Sequence, residues 1–264
     1  MEDIPTFYER DIYFSLEDFS YVSSELELRR TSQYKAIVTE NDKLVSIVSK
    51  KYKLIQHTEV LDKLEISSKL FKESVIYKSF YPLDTKAVMY ATLMFKNNMQ
   101  IEIKPKDTVS FGIQVINSVD SSQSLTVLPF SLRLVCKNGM THKDLISRTM
   151  KKHYDSATEV LDNLTDIILE TAEGLKSLGD LYKEYANTPL SCSLNEIKSI
   201  KLIPEKYKSK VYTTKIETVW DLFNVLTQLN THDPRRNLNT KSQFNPIIEK
   251  ICNEAYQCSN EIQK

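Results

Sequence analysis

Apolar and polar side chains alternate along much of the first half of the chain, a pattern typical of β-strands with one buried face. From Tyr34 the alternation predicts a hairpin whose strands, residues 34–40 and 43–52, flank a turn at Asn41-Asp42. Further strands are predicted at residues 74–81, 85–95, 99–104 and 108–118, separated by turns at Pro82, Asn97-Asn98 and Pro105. Because the connections between these strands are short, we expect them to pair antiparallel.

A last strand is predicted over residues 124–136, and it contains Pro129. Proline has no backbone N–H to donate to a neighbouring strand, so we expect a bulge or an edge position there. A helix is predicted at residues 58–72, where apolar positions recur at helical spacing after an N-cap at Thr58. Residues 34–137 therefore read as an antiparallel sheet with one early helix.

The spacing of the apolar side chains changes in the second half of the chain. From Ser156 to Ala186 they recur at three- and four-residue steps, which predicts one amphipathic helix of roughly 30 residues. Gly174 and Gly179 weaken this helix and are the points at which it would divide. After a lysine-rich connector, two more helices are predicted near residues 217–230, capped by Thr213 or Thr214, and near residues 246–256.

These elements predict an α+β fold, with an antiparallel β-sheet and an early helix followed by a long helix and a C-terminal helical region. We divide the chain into an N-terminal arm at residues 1–33, a sheet core at 34–154 and a helical region at 155–264, which packs on the sheet as part of one continuous domain. The arm is acidic and rich in aromatic residues, as expected of a segment that docks on a neighbouring subunit. A homo-oligomer is therefore expected.

The composition argues against several classes of protein. No apolar run approaches the roughly 20 residues that a membrane-spanning helix needs, and the acidic start lacks the basic and apolar regions of a signal peptide. We therefore expect a cytoplasmic protein with no membrane partner. Few glycines and many Lys, Ile, Asn and Tyr residues suggest a coding sequence rich in A and T, as in phages, plasmids and many hosts.

Charge is distributed in blocks although the chain is neutral overall. Residues 35–154 hold nineteen Lys and Arg against eleven Asp and Glu, a net charge of +8, and residues 189–218 hold six against three, a net charge of +3. If the blocks segregate in space, they form a basic face that attracts anions. The alternative is a solvated surface of mixed sign.

Candidate catalytic groups are sparse. Cys136 and His142 are close in sequence, as thiol catalysis requires, but a cysteine that ends an apolar strand is usually buried and inert. Asp162 and Asp166 lie one helical turn apart, as acid–base pairs do, on a helix that is acidic throughout. The chain has no glycine-rich phosphate loop. We predict no catalytic residues and no cofactor.

A metal site is not indicated either. The four cysteines contain no C-x-x-C pair, so neither a disulfide framework nor a zinc module is expected. Distant segments would have to converge to bring together the remaining candidate ligands, Cys252, Cys258, His153 and His232. None of these residues has ligand spacing of its own.

A polar segment at residues 117–122 separates two predicted strands. A tight hairpin turn explains its side chains, and the alternative is a ligand-binding site at the sheet edge to which Asn117, Asp120 and Asn138 contribute. Arg133 stands among apolar strand neighbours and needs a partner. It either forms an internal salt bridge, with a partner such as Asp120, or binds a phosphate or carboxylate.

Basic residues next to aromatic residues are the candidates for nucleic-acid binding, because cations neutralise phosphates and aromatic rings stack on the bases of single strands. Three clusters have this composition, namely Lys50, Lys51, Tyr52 and Lys53, then Arg148, Lys151 and Lys152, and finally Lys206, Tyr207, Lys208 and Lys210. Together with Arg133 they form the predicted binding set. The alternative is that they are ordinary surface side chains.

Four segments of the chain match the pattern of a known family. They are the strand–helix entry at residues 44–59, the loop at 117–122, the strand end R-x-V-C-x-N-G at 133–139, and the late helix that opens with T-x-W-D at 218–227, with His232 after it. In these segments the chain resembles the phage/plasmid-like proteins grouped as domain of unknown function 932. That family usually has glycine where Ser121 stands. The resemblance implies DNA replication, recombination or host defence on mobile elements.

Three functions are open at this stage. The first is a non-enzymatic oligomer that binds single-stranded DNA, since a sheet followed by a long helix is similar to the core of single-strand-annealing recombinases. The second is a virion-associated or host-directed interaction or structural protein that binds no nucleic acid. The third is an enzyme with a site around Asn117, Asp120, Arg133 and Asn138.

Overall fold

The fold was analysed in a computed structural model of the chain. It describes residues 4–15, 28–71, 74–95, 99–134, 138–141, 149–153, 155–236 and 238–262. Two antiparallel sheets and six α-helices make up this part of the chain, which confirms the predicted α+β class. All described strands lie before residue 152, and all described helices but the first follow them.

The smaller sheet has three strands in the order β1-β2-β3. They are β1 (Phe7–Ser15), β2 (Leu28–Thr39) and β3 (Leu44–Ser49). The predicted hairpin is confirmed as β2 and β3, and Asp42 turns the chain between them with a φ of 54°. The boundary placed at residue 33 falls inside β2, and β1 pairs antiparallel with β2. Residues 7–15 therefore belong to this sheet.

The larger sheet has seven strands, so the predicted single sheet is in fact two. They are β4 (Ser74–Tyr81), β5 (Val88–Phe95), β6 (Gln100–Lys104), β7 (Asp107–Ser118), β8 (Leu125–Arg133), β9 (Asn138–Thr141) and β10 (Thr149–Lys151). The main order is β10-β8-β7-β5-β4, with β6 paired to β7 and β9 paired to β8. All pairs are antiparallel, as the short connections predicted.

Pro129 lies in the middle of β8, opposite Ile113 of β7. On the other side of β8, β10 pairs with residues 125–127 and β9 pairs with residues 130–133. Pro129 thus lies between the two partner strands, where no described residue of β9 or β10 pairs with it. Because Pro129 has no N–H, it could not donate a hydrogen bond on that side of β8. The gap between β9 and β10 therefore gives Pro129 the edge-like position that the sequence predicted.

The six helices are α1 (His57–Leu70), α2 (Asp155–Asp162), α3 (Leu164–Asn187), α4 (Glu205–Thr213), α5 (Val219–Thr231) and α6 (Leu238–Ile262). Two short 3₁₀ helices, Leu194–Glu196 and Lys198–Leu202, precede α4. Helix α4 falls where the sequence predicted only a connector. Helix α6 is longer than predicted and contains Pro246.

The caps of two helices differ from those predicted. Gln56 caps α1 in a reciprocal capping box with Glu59, so Thr58 lies inside the helix. Thr218 caps α5 in a capping box with Asp221, whereas Thr213 and Thr214 end α4. A cap is defined by the extended backbone of the residue before the helix, which the side-chain type alone does not determine.

The predicted helix at residues 156–186 is divided into α2 and α3 at Asn163, not at either glycine. Gly179 is buried, and a Cβ added there would lie 2.1 Å from Ile101 Cδ1 and 3.7 Å from Phe111 Cε2. This glycine lets α3 approach β6 and β7 closely. Its role is in packing between elements.

The main core lies between one face of the seven-stranded sheet and helices α1, α3, α5 and α6. Its largest aromatic group joins α3 to α5, because the ring centroid of Tyr182 lies 4.9 Å from that of Trp220 and 5.0 Å from that of Phe223. A smaller core around Phe7, Ile37 and Val48 joins the three-stranded sheet to the larger one. No described helix is both long and apolar enough to cross a membrane.

Candidate nucleic-acid interface

Two recesses meet at Tyr52, which follows β3 and is 5% exposed. Its hydroxyl donates a hydrogen bond to the Ser118 carbonyl oxygen at 2.8 Å, and burial raises its pKa well above the ordinary range. Its ring stacks on that of His153, with centroids 5.1 Å apart and planes inclined by 10°. The ring is thus held between β7 and the segment after β10, and it lines both recesses.

The first recess, which we call the basic cleft, has a volume of about 780 Å³ and four lysines in its lining. It is lined by Glu9, Lys35, Lys50, Lys51, Tyr52, Lys53 and Leu54. The buried Lys35 ammonium donates to Glu9 Oε1 at 2.6 Å and to the Tyr52 carbonyl oxygen at 2.7 Å. Lys50 forms an ion pair of 2.5 Å with Asp11. Lys51 and Lys53 are exposed.

The second recess, which we call the polar pocket, has a volume of about 320 Å³. It is lined by Tyr52, Ser121, Ser122, Gln123, Ser124, Lys152 and His153. The two recesses are joined by backbone pairing, because the Lys53 N–H donates to the His153 carbonyl oxygen at 2.9 Å. This contact brings the first predicted basic cluster next to part of the second, and places exposed Lys152 near Lys53.

His153 is 2% exposed and has one satisfied ring nitrogen. Nδ1 lies 3.2 Å from the Lys53 carbonyl oxygen, which is only an acceptor, so Nδ1 carries the proton and donates. Nε2 is then an acceptor, and it is buried without a hydrogen-bond partner in the described structure. Burial lowers the pKa of His153, although the hydrogen bond to the Lys53 carbonyl oxygen and the negative charge of Asp120 act in the opposite direction. The ring is neutral near pH 7.

Asn117 and His57 form a second buried polar pair below the loop. Asn117 Nδ2 lies 3.0 Å from the Ile55 carbonyl oxygen and 2.9 Å from His57 Nδ1, while His57 Nε2 lies 2.9 Å from the Lys86 carbonyl oxygen. The Ile55 carbonyl oxygen can only accept, so it fixes the orientation of the Asn117 amide. The Lys86 carbonyl oxygen can only accept as well, so His57 carries its proton on Nε2. Burial lowers the pKa of His57 to about 4. Both His57 nitrogens are satisfied, so this pair positions the loop and lacks a free base.

The loop after β7 is shaped by its own polar side chains. Asp120 Oδ1 accepts a hydrogen bond from the Ser122 N–H at 2.9 Å, and the Asp120 carbonyl oxygen accepts one from Ser46 Oγ at 3.1 Å. Ser121 adopts a φ of 62°, in the left-handed region that favours glycine. The Asp-centred turn confirms the expectation that these side chains build a turn, and the φ of Ser121 agrees with the glycine of the family pattern.

Arg133 is the last residue of β8, beside the other end of β7, and takes no part in either recess. Its Nε and Nη2 donate to the two carboxylate oxygens of Asp107 at 2.6 and 2.7 Å, and Trp220 Nε1 donates to Asp107 Oδ2 at 2.8 Å. Burial alone would raise the pKa of Asp107, but the hydrogen bonds from Arg133 and Trp220 outweigh it and lower the pKa. The guanidinium is thus in an internal salt bridge, with Asp107 and not Asp120.

The distance along β7 separates the residues that an enzymatic site would have needed. Asp107 and Asn117 are ten residues apart in one strand, or roughly 33 Å, and Asn138 pairs with Arg133 at the Asp107 end. The structure therefore does not bring Arg133 or Asn138 to the polar loop, and the hypothesis of one site made from all of them is wrong. Asp162 and Asp166 are exposed on two different helices.

The third basic cluster lies in α4 and most of its side chains have partners. Lys206 forms an ion pair with Asp233, and the buried Tyr207 donates its hydroxyl proton to the same carboxylate at 2.7 Å. Burial and this hydrogen bond raise the pKa of Tyr207 to about 12. Lys208 forms an ion pair with Glu205 at 2.7 Å, and Lys210 is exposed. Tyr207 is not available for stacking on a base.

Several predicted residues lie outside the described residues. They are Cys136, His142 and Arg148, and the side chains of Asn138 and Lys151 are not described either. Burial raises the pKa of Cys252, which keeps this thiol protonated and inert. Within the described part of the chain, no group of three or more His, Cys, Asp or Glu side chains is placed to bind a metal ion.

Sequence reasoning missed two residues that line the basic cleft, Glu9 and Lys35, and one that supports the neighbouring loop, His57. Lys35 and Glu9 belong to strands that the sequence placed in or beside an arm, and His57 has no catalytic spacing to draw attention. The available signal was the family pattern, because His57 and Tyr52 both lie in its entry segment and Asn117 opens its loop. In the structure those two segments touch through Tyr52 and Asn117.

The remaining two segments of the pattern also meet in space, through Arg133, Asp107 and Trp220. A family model described as domain of unknown function (DUF932) matches residues 44–247, more than half of the chain. Comparison with curated proteins and with solved structures gives no match. The matched residues contain all four segments and both recesses apart from Glu9 and Lys35. The chain therefore belongs to the DUF932 family.

Proposed function

We propose that the protein is a non-enzymatic protein that binds single-stranded DNA through the basic cleft. The observation that carries this proposal is the cleft lining, which contains four lysines and a single carboxylate, that of Glu9, and in which Lys51 and Lys53 are exposed. A concentration of cations in a recess raises the local potential and attracts a phosphate backbone. Exposed Lys51, Lys53 and Lys152 are the side chains that we assign to phosphate contacts.

A single strand fits the surface better than a duplex does. The polar pocket opens beside the cleft, on the other side of Tyr52. Only an unpaired strand offers the Watson–Crick edge of a base beside a phosphate, because in a duplex these edges are paired with each other. Tyr52 itself is buried against His153 and forms part of the wall, so we do not assign base stacking to it.

The binding test is fluorescence anisotropy with labelled single-stranded oligonucleotides of about ten nucleotides, a length within the usual site size. We expect saturable binding at low salt, weaker binding of a duplex of the same length, and at least tenfold loss in the double variant Lys51→Glu, Lys53→Glu. The matched control is the double variant Lys208→Glu, Lys210→Glu, which reverses the same number of charges in α4 and should leave the affinity unchanged. Absence of saturable binding at low salt would refute the proposal. The same measurement with RNA of the same sequence shows whether the protein prefers DNA or RNA.

We place this activity in the cytoplasm of a host cell that carries a phage or plasmid, in replication or recombination. The composition and the resemblance described above support this setting. A test is whether the purified protein accelerates annealing of complementary single strands, measured by fluorescence quenching. If the protein binds single strands but leaves the annealing rate unchanged, the assignment to recombination falls and the binding proposal stands.

A second candidate function is association with protein, first of all with another copy of the chain. Tyr8, Tyr34, Leu44 and Ile47 share the outer face of the three-stranded sheet and are between 39% and 56% exposed. An apolar face of this kind favours a protein contact. Light scattering over a concentration series tests it, with Ile47→Lys expected to lower the mass. A monomer at all concentrations would refute a homo-oligomer.

A further inference from the structure

We propose that the polar pocket holds one unpaired nucleobase of the bound strand, with His153 Nε2 accepting a hydrogen bond from a base N–H group. Lys152, on the same pocket wall, then faces the phosphate that joins this nucleotide to the strand in the basic cleft. The inference rests on the proposed binding function and adds to it the ligand group that the pocket recognises.

The polar pocket lies directly beside the basic cleft. Its lining includes Tyr52, which also lines the basic cleft, so the two recesses share a wall. A volume of about 320 Å³ is near the lower limit for small-ligand sites. It suits one planar ring, and a strand whose phosphates lie in the cleft is within reach of it.

His153 has one ring nitrogen that can accept a hydrogen bond from a ligand. Its Nδ1 proton is directed to the Lys53 carbonyl oxygen at 3.2 Å, which leaves Nε2 as a buried acceptor without a partner in the described structure. A buried polar atom left without a hydrogen bond destabilises the fold. Because His153 is a lining residue of the polar pocket, we assign Nε2 as the acceptor for a ligand that has a donor. Phosphate has the wrong polarity for it, because its oxygens are acceptors near neutral pH.

The other lining residues of the polar pocket are mostly polar and uncharged. The hydroxyl groups of Ser121, Ser122 and Ser124 both donate and accept, and the Gln123 amide does the same. Such groups match the mixed donors and acceptors on the edge of a nucleobase. Every base has at least one N–H on its Watson–Crick edge, so the pocket is expected to recognise the presence of a base more than its identity.

The experiment compares a ten-nucleotide DNA strand with an abasic strand of equal length and charge. For the unmodified protein we expect the abasic strand to bind about tenfold more weakly, the loss associated with one buried hydrogen bond. The variant His153→Phe keeps a ring against Tyr52 but removes the acceptor. It should bind the normal strand about tenfold more weakly and the abasic strand as the unmodified protein does, which also shows that the cleft remains folded.

A second measurement does not depend on a variant. The chain has four histidines, and in ¹⁵N-histidine-labelled protein the Nε2 resonance of His153 should shift on addition of the normal strand and remain unchanged with the abasic strand. Equal affinity for the two strands, or an unshifted Nε2 resonance at saturation, would overturn the inference while leaving the binding proposal intact. If neither strand binds at low salt, the proposed function itself fails.

Discussion

At the scale of single residues, the structure separates polar side chains whose hydrogen bonds hold the fold from His153, a buried side chain with one ring nitrogen left without a partner in the described structure. His57 has both ring nitrogens in hydrogen bonds, and Asp107 receives donors from Arg133 and Trp220. His153 differs, because its Nε2 lies buried in a pocket wall with no partner among the described residues. From the sequence, His153 was named only as a candidate metal ligand, and His57 was not singled out.

The buried state of His57 predicts acid sensitivity. Its pKa falls from 6.5 to about 4 on folding, mainly through burial. A group with a lowered folded pKa stabilises the fold above its unfolded pKa, so this stability is present above pH 6.5 and is lost as the pH falls toward 4. We expect a loss of about 2 kcal/mol in the free energy of unfolding between pH 7 and pH 5. The lowered pKa of His153 changes the free energy of unfolding in the same direction.

The measurement is urea unfolding followed by the fluorescence of the one tryptophan, the buried Trp220. His57→Gln serves as the control, because it removes the titrating group and should reduce the difference between the two pH values. A free energy of unfolding that does not change from pH 7 to pH 5 would contradict the assignment of His57 as a buried neutral group.

The left-handed backbone of Ser121 leads to a stability prediction. A residue with a Cβ at a φ of 62° is strained by roughly 1–2 kcal/mol, and glycine removes that strain at some cost in unfolded-chain entropy. Ser121→Gly should therefore raise the free energy of unfolding by about 0.5–1 kcal/mol. Ser122→Gly is the matched control, since Ser122 is not among the described residues with positive φ, and it should lower stability. The opposite order of the two variants would show that the turn has another geometry.

At the scale of elements, alternation and short apolar runs both predicted strands, and the run that forms β5 is apolar because all of its residues are buried. Neither pattern could predict that β1 completes a separate sheet, because strand pairing depends on residues distant in sequence. The division of the long helix at Asn163 and the caps at Gln56 and Thr218 were also missed. These features depend on local backbone angles, which several residue types satisfy equally.

Gly179 shows how packing between elements overrides helix propensity. Alanine normally stabilises a helix by up to about 1 kcal/mol relative to glycine. At Gly179 the new Cβ would meet Ile101 Cδ1, so Gly179→Ala should give no net gain, whereas Gly174→Ala, at a half-buried position, should give about 0.5–1 kcal/mol. Removing Cδ1 with Ile101→Val should restore the gain at Gly179. Chemical denaturation of the four variants tests this, and equal gains at both glycines in the Ile101 background would contradict it.

At the scale of the whole molecule, the four segments of the family pattern form two clusters at opposite ends of β7. One joins the entry segment to the polar loop beside the basic cleft, and the other joins the strand end to α5 through Asp107. The sequence predicted the residues of the candidate interface in part, including Lys50–Lys53 and Lys152. It offered an internal salt bridge for Arg133 but not the partner Asp107, and it could not predict that Lys206 and Lys208 form ion pairs, since ion-pair partners are set by the fold.

The most direct test of the account is the salt dependence of single-stranded DNA binding. Three phosphate contacts, from Lys51, Lys53 and Lys152, predict that the logarithm of the binding constant falls with the logarithm of the salt concentration with a slope of about −2. Reversing all three charges to glutamate should reduce the slope toward zero and weaken binding at low salt. Binding that is absent at low salt, or a slope that the triple variant leaves unchanged, would contradict the assignment of the basic cleft as a nucleic-acid site.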